Sequence, residues 1–263
     1  MLLERSSGRP TSGIGRWVET VLGLVYPRVC ALCRGHRADR RDGYVCASCS
    51  LKVRRIGPQC CRRCGIPWSG MVTASHTCAD CRRANFAWDE ARAAVVAEGA
   101  ALECIHRLKY QREPWFATFL SRLLLEAALP TLTARSWQGV VPVPLHRVKS
   151  REREFNQAER LAAPLSRALG VPLVTDRVRR HEATLSQASL SREDRTRNVR
   201  AAFAAGRTDR IQGSWIIVDD VLTTGATTDA VAAVLKGQGA DRVIVWAVAR
   251  ATRDAESSSV VHR

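Results

Sequence analysis

Residues 215–230 read WIIVDDVLTTGATTDA, and this pattern predicts a strand, a short loop and a helix in that order. The run Ile216–Val218 is continuously β-branched, which is typical of a strand buried on both faces of a parallel sheet. Apolar residues then recur at helical spacing over 226–235, and 243–248 is again rich in β-branched residues. These elements predict a right-handed βαβ unit. They therefore predict an α/β fold in which helices cover both faces of a parallel sheet.

The loop between this strand and this helix has the composition of an anion-binding site. In open α/β sheets, ligands bind at the carboxyl ends of strands, where a helix N-terminus offers free amides to an anion. Threonine hydroxyls add donors and Gly225 allows a close backbone approach, so a 5′-phosphate fits the loop. The two aspartates before the loop would accept hydrogen bonds from ribose hydroxyls. The candidate ligand-binding residues are Asp219, Asp220, Thr223, Thr224, Gly225, Ala226 and Thr227.

An ordinary helix cap is the alternative interpretation of this loop, since Asp and Thr commonly precede helices. A cap needs one such residue, whereas here two aspartates and three threonines surround a glycine. We therefore favour phosphate binding. The layout resembles the phosphoribosyl-pyrophosphate (PRPP) loop of type I phosphoribosyltransferases.

A second strong pattern lies near the amino terminus, where four CxxC pairs follow one another. The pairs are Cys30/Cys33, Cys46/Cys49, Cys61/Cys64 and Cys78/Cys81. The interval from Cys33 to Cys46 is similar in length to the interval from Cys64 to Cys78, which indicates a tandem repeat. Each half fits a tetrahedral zinc site made of four thiolates. The sequence therefore predicts a double zinc ribbon with two structural zinc ions.

Disulfides are the alternative for these cysteines, but they require an oxidising compartment. Residues 1–16 are polar and Arg-rich and lack the pattern of a signal peptide, so we expect a cytoplasmic protein with metal-bound thiolates. Cys60 is adjacent to Cys61 and is an alternative ligand at that position. Cys104 falls in a helical pattern and is expected to be a buried thiol. The ribbon segment has few apolar residues, so we expect it to be unfolded without metal.

Length and charge limit the function classes. The chain has 263 residues, enough for one α/β domain and a small module. Its formal net charge of +16 predicts anionic partners, with nucleic acid as a candidate beside PRPP. A generally Arg-rich proteome would give the same charge without nucleic-acid binding. No apolar run is long enough to span a membrane.

The pattern along the chain predicts five regions. They are a disordered segment (1–12), a helix (13–27), the double zinc ribbon (28–85), a phosphoribosyltransferase-like domain (86–250) and a disordered tail (251–263). Within the large domain we predict strands at 91–97, 140–144 and 177–180 and helices at 100–110, 114–128 and 157–169. The prolines of 140–144 favour an end or edge position for that strand. Residues 181–200 are polar and are expected to form a loop or hood.

Pyrophosphate needs a cationic partner that the two aspartates cannot provide. The basic run 147–157 follows the predicted edge strand and could hold a pyrophosphate at the sheet's carboxyl edge. A solvated helix start is the alternative for this run, and a lysine is favoured at a helix end by the dipole in any case. The candidate pyrophosphate or auxiliary residues are Lys109, Arg151, Arg153, Asn156 and Gln157. A further polar cluster comprises Gln187, Arg192, Arg195 and Asn198.

Three features occur in a fixed order: the double CxxC ribbon, the run VPVPLHRVKSREREFNQAERLA, and the loop preceded by QASLSREDRTRNV. Together they resemble the ComF family of competence-associated, phosphoribosyltransferase-like proteins, from about Val25 to Arg250. The resemblance implies a type I phosphoribosyltransferase fold with an amino-terminal zinc module. It also implies an association with natural transformation, in which imported single-stranded DNA is handled in the cytoplasm. The family's RxRGFNQ motif maps onto 151–157, with Glu154 at the glycine position.

Two functions follow as expectations. The first is an enzyme that binds PRPP with Mg²⁺ and transfers the phosphoribosyl group to an acceptor that the sequence does not identify. The second is a single-stranded DNA-binding accessory protein whose PRPP site is regulatory or vestigial. Other DNA-uptake or recombination proteins are candidate partners in either case.

Overall fold

A four-stranded parallel sheet lies at the centre of the computed structural model, which describes residues 28–68, 76–145, 155–181 and 201–252. The strand order is β1-β6-β5-β2, and each neighbouring pair is parallel. These strands are β1 (Glu90–Val96), β2 (Gly139–Pro142), β5 (Ser214–Leu222) and β6 (Arg242–Arg250). A separate antiparallel hairpin pairs β3 (Val178–Arg180) with β4 (Phe203–Ala205). The parallel sheet confirms the predicted fold class.

Helices lie on both faces of this sheet, as predicted. Two short helices, α1 (Ala47–Leu51) and α2 (Ala79–Arg83), belong to the cysteine-rich region, which also has a 3-10 turn at Arg40–Asp42. The longer helices are α3 (Gly99–Tyr110), α4 (Phe116–Leu132), α5 (Gln157–Leu169) and α6 (Ala226–Gln238). Helix α5 has the predicted bounds, with Asn156 as its N-cap and Gly170, at φ 67°, as its C-cap. Pro164 lies inside it.

Side chains of the strands point alternately to the two faces of the sheet, and each face carries a hydrophobic core. Ile216 and Val218 of β5 face the core formed with α3, α4 and α5. Ile217 faces the opposite core, formed with α6 and the β3–β4 hairpin. Three cysteines of the first half, Cys30, Cys46 and Cys49, pack with the former core, and the four of the second half pack with the latter. The two halves of the cysteine-rich region are therefore attached to opposite faces of one sheet.

The segment between the two halves covers an edge of the sheet. Ile56 N donates to Ala94 O at 2.9 Å, and Val96 N donates to Arg54 O at 2.9 Å. Further along the same edge, Ala91 N donates to Arg63 O at 2.7 Å. Backbone groups of β1 that face away from β6 are thus paired by the cysteine-rich region.

Several element predictions differ from the structure in instructive ways. Strand β5 continues through both aspartates to Leu222, because β6 continues beside it to Arg250 and pairs with it. Strand β2 occupies the predicted edge position but ends at Pro142. Helix α4 runs to Leu132, beyond the predicted end at 128. Strand β4 and the short helices α1 and α2 were not predicted.

Some predictions fall outside the described residues. They concern 1–27, Arg151, Arg153, Glu154, the polar cluster within 182–200 and the tail 253–263. Along the described ranges, no helix combines the length and the apolar character needed to cross a bilayer.

Candidate functional site

The loop from β5 to α6 turns sharply at Gly225. This glycine has φ 84° and is the N-cap of α6. Its carbonyl accepts from Asp229 N at 2.8 Å and from the Thr228 hydroxyl at 3.0 Å, while Thr224 Oγ1 accepts from Ala226 N at 3.4 Å. Such a turn directs the amino end of a thirteen-residue helix toward the carboxyl edge of the sheet. An anion at that edge would meet the first-turn amides and the favourable end of the helix dipole.

The threonines of the loop differ in accessibility. Thr223 and Thr224 are exposed, Thr227 is half-buried, and Ala226 is half-buried at the start of α6. The hydroxyls of Thr223 and Thr224 are therefore open to a ligand that approaches from solvent.

The two aspartates project to opposite faces, since neighbouring residues of a strand alternate. Asp220 is 5% exposed, and its Oδ1 lies 2.7 Å from Lys109 Nζ of helix α3. Asp219 Oδ1 accepts from Asp220 N at 2.8 Å. Lys109, predicted as an auxiliary residue, thus contacts the aspartate pair directly. That contact balances one of the two negative charges before any ligand binds.

The pKa of Asp219 is shifted by its surroundings. Burial, followed by the neighbouring Asp220 carboxylate, raises the pKa of Asp219 from 3.8 to about 7. The charges of Lys109 and Arg180 act in the opposite direction. Near neutral pH this carboxyl is therefore close to half-protonated. Binding of a cation or a hydrogen-bond donor to this group would favour the ionised form of Asp219.

A cavity of about 540 Å³ adjoins this edge of the sheet. It lies between the residues that follow β2 and the β3–β4 hairpin. Its walls are Pro144, Leu145, Thr175, Val178, Arg179, Arg180 and His181. Arg180, one of these wall residues, interacts electrostatically with Asp219. Neither Arg180 nor the cavity was predicted; basic residues in a short predicted strand were the available signal.

Of the remaining predicted pyrophosphate residues, Asn156 and Gln157 lie in the part of the chain that the structure describes. Asn156 Oδ1 accepts from Ala158 N at 3.0 Å, and Asn156 Nδ2 donates to Val143 O at 3.1 Å. These bonds fix the start of α5 against the residues after β2. Gln157 is buried at 4% exposure. A pyrophosphate-binding role for these two residues stays a prediction.

The eight cysteines form two separate clusters. Within each cluster the Sγ atoms all lie within 4.8 Å of one another. The members are Cys30, Cys33, Cys46 and Cys49 in the first cluster and Cys61, Cys64, Cys78 and Cys81 in the second. Close Sγ pairs are 3.7–3.8 Å apart. A tetrahedron with Zn–S distances of about 2.3 Å has edges of about 3.8 Å, so the spacing fits zinc.

The two clusters repeat the same local geometry. Cys46 N donates to Cys30 Sγ at 3.4 Å, and Cys78 N donates to Cys61 Sγ at 3.3 Å. Cys46 and Cys78 are also the N-caps of α1 and α2. Amide donors of this kind favour the thiolate form that binds metal. The geometry confirms two four-cysteine zinc ribbon sites in tandem.

Two further cysteines lie outside these clusters. Cys60 is half-buried and is not part of the second set, so Cys61 provides the ligand at that position. Cys104 is fully buried, as predicted, and burial raises the pKa of its thiol to about 12.

Models of two known domain families match the chain. The double zinc ribbon domain matches residues 21–82, and the phosphoribosyl transferase domain matches residues 156–261. Competence protein F of Haemophilus influenzae is 31% identical, over 84% of this chain and 96% of its own. DNA utilization protein YhgH of Escherichia coli K12 is 37% identical, over 86% of this chain and 99% of its own. The chain belongs to this competence protein F family.

The chain is also similar to a relative of lower identity and, weakly, to a solved phosphoribosyltransferase structure. Competence protein ComFC of Bacillus subtilis is 24% identical over 82% of this chain and 92% of its own. Among solved structures, orotate phosphoribosyltransferase from Aeropyrum pernix covers 57% of this chain and 79% of its own, with a TM-score of 0.31. That overlap is too low to compare individual residues.

Proposed function

We propose that the protein binds PRPP together with Mg²⁺ at the carboxyl edge of the sheet. The observation that carries this proposal is the Asp219–Asp220 pair, in which Asp220 contacts Lys109, just before the glycine turn that starts α6. The 5′-phosphate would occupy the loop 223–227. The two carboxylates would accept from the ribose hydroxyls. The phosphoribosyltransferase domain match supports the same ligand.

The aspartates offer the oxygen ligands that Mg²⁺ prefers, and the ion would supply positive charge to balance the pyrophosphate. The protein's own groups would hold the ribose, orient its anomeric carbon toward the cavity near Arg180, and limit the access of water. An acceptor nucleophile bound in that cavity would displace pyrophosphate through an oxocarbenium-like transition state. Positioning and charge neutralisation would account for most of the rate gain.

Calorimetric titration with PRPP and Mg²⁺ tests the binding site. We expect Asp219→Asn combined with Asp220→Asn to abolish detectable binding, because both ribose acceptors lose their charge. Glu126→Gln, an exposed carboxylate on α4 that pairs with Arg55, is the matched control and should bind as the wild type does. Equal binding by the double variant and the control would refute the site. Release of pyrophosphate in a screen of acceptors would then establish transfer.

We propose in addition that the protein acts in the cytoplasm in the handling of imported DNA and binds single-stranded DNA. The net charge of +16 supports an anionic partner, and eight zinc-binding thiols fit a reducing compartment. The names of its relatives, competence protein F and DNA utilization protein YhgH, support a role in DNA uptake, alone or with other uptake or recombination proteins.

Fluorescence anisotropy with a labelled single-stranded oligonucleotide tests DNA binding. Phosphate contacts release counterions, so the affinity should fall steeply between about 50 and 200 mM salt. Binding that is absent, or insensitive to salt, would contradict the proposal. If PRPP shifts the DNA affinity, the site acts as a regulator of that binding.

A further inference from the structure

A buried arginine connects the second zinc centre to the ligand loop. Arg250 ends β6 and is 8% exposed. Its Nη1 donates to Leu222 O at 2.7 Å and also to Thr223 O. Its Nε donates to Cys64 O at 3.3 Å, and its Nη2 lies 4.0 Å from Cys64 Sγ. A single side chain therefore joins a zinc ligand to the first residues of the loop.

The buried positive charge of Arg250 needs hydrogen-bond acceptors around it. A buried guanidinium is costly unless carbonyls or anions surround it. Here its partners are main-chain carbonyls and a thiolate of a zinc centre with four cysteine ligands. A planar guanidinium can serve several acceptors at once, whereas a lysine ammonium in the same place is a compact charge with a different reach.

The loop is also supported on its other side by residues that follow the second centre. Phe86 and Trp88 stack with ring centroids 4.2 Å apart, and a Cβ on Gly225 would lie 3.4 Å from Trp88. Between them, Ala87 N donates to Asp229 Oδ1 of helix α6 at 2.6 Å. Arg63, next to Cys64, donates to Phe86 O at 3.2 Å. One flank of the loop thus contacts the second half of the ribbon, and the other contacts the residues that directly follow it.

We propose that Arg250 is a positioning residue that makes the shape of the PRPP loop depend on zinc in the second centre. The inference rests on the proposed PRPP function. With zinc bound, Cys64 holds Arg250, and Arg250 fixes the carbonyls of Leu222 and Thr223. Without zinc, this half of the ribbon loses its structure, and the loop loses its support. Linkage then requires the reverse effect, so PRPP must raise the zinc affinity of that centre.

Two measurements on the full chain test the proposal. In calorimetry, we expect Arg250→Lys to weaken PRPP binding about tenfold or more, the effect of losing roughly one charged hydrogen bond. Its zinc content should stay at two ions, as measured by mass spectrometry. Arg242→Lys is the matched control, because Arg242 lies at the opposite end of the same strand and is partly exposed. That control should bind PRPP as the wild type does.

The second measurement is an equilibrium zinc competition with a chelating dye. Saturating PRPP should shift one of the two zinc steps of the wild type to higher affinity, and Arg250→Lys should lose that shift. Equal PRPP binding by Arg250→Lys and Arg242→Lys would overturn the inference, as would a wild-type zinc titration that PRPP leaves unchanged. If Arg250→Lys does not fold, the wild-type competition decides alone. A wild type that does not bind PRPP would instead refute the proposed function.

Discussion

At the residue scale, the aspartate pair places two neighbouring carboxyls in different electrostatic environments. Asp220 contacts Lys109 at 2.7 Å, whereas burial and Asp220 itself raise the pKa of Asp219 to about 7. The sequence predicted the pair, because two aspartates before a Thr/Gly loop are unusual. It did not predict the division of roles, since Lys109 lies far away in the sequence and meets the pair through the packing of α3.

Asp219 predicts a characteristic pH dependence of stability. Its folded-state pKa is raised from 3.8, so the folded chain binds a proton that the unfolded chain has released. The contribution of this group is complete below about pH 3.8 and is lost progressively as the pH rises from 3.8 to about 7. Asp219→Asn should therefore raise the melting temperature more at pH 8 than at pH 5, as measured by thermal unfolding.

Asp209→Asn is the opposite control for that experiment. Its hydrogen bond from Arg177 lowers the pKa of Asp209, so this carboxylate supports the fold at neutral pH. Removing it should lower, and never raise, the melting temperature at pH 8. A melting temperature of Asp219→Asn that stays below the wild type at pH 8 would contradict the raised pKa of Asp219.

At the element scale, periodicity predicted most of the large domain, and the misses have a common cause. The bounds of α5 followed from its cap residue Asn156 and the terminal Gly170, which are local signals. The extension of β5 past its aspartates depends on pairing with β6, and β4 depends on pairing with β3. A three-residue strand has no periodicity of its own, so its partner defines it. The helices α1 and α2 start at zinc ligands rather than at conventional caps.

The turn before α6 depends on Gly225. An alanine there would adopt φ near 84°, a left-handed conformation that costs about 1–2 kcal/mol. We expect Gly225→Ala to lower the free energy of unfolding by about that amount and to weaken PRPP binding. Gly237→Ala, in the same helix with open space at its Cβ, should instead stabilise by about 1 kcal/mol. Denaturant titration measures both, and equal shifts would contradict the turn's role.

At the scale of the whole molecule, the cysteine-rich region and the sheet form one structure. The two zinc clusters pack with opposite cores, and the segment between them pairs with β1. The sequence predicted the ribbons and the sheet separately. It contained no local sign of how they join, because the contacts that join them form between residues that are distant in the sequence.

Removal of zinc should therefore affect more than the ribbons. Each zinc-thiolate site contributes roughly 10 kcal/mol or more to folding, and its loss should release the segment over β1. An exposed strand edge promotes pairing between chains. We expect a strong chelator to cause self-association, seen as a rise in light scattering, and added zinc in stoichiometric amount to prevent it. Zinc-free protein that stays monomeric and keeps its circular dichroism would contradict this view.

The cover over β1 also has a consequence for how the chain is made. Residues 54–56 and Arg63 precede β1 in the sequence, so the ribosome releases them before the strand that they pair with. Domains generally begin to fold from the amino terminus during synthesis. A ribbon that binds zinc and folds early could therefore pair with β1 as soon as that strand leaves the ribosome. Zinc supply during translation would then set the yield of functional protein, independently of any later role of the metal.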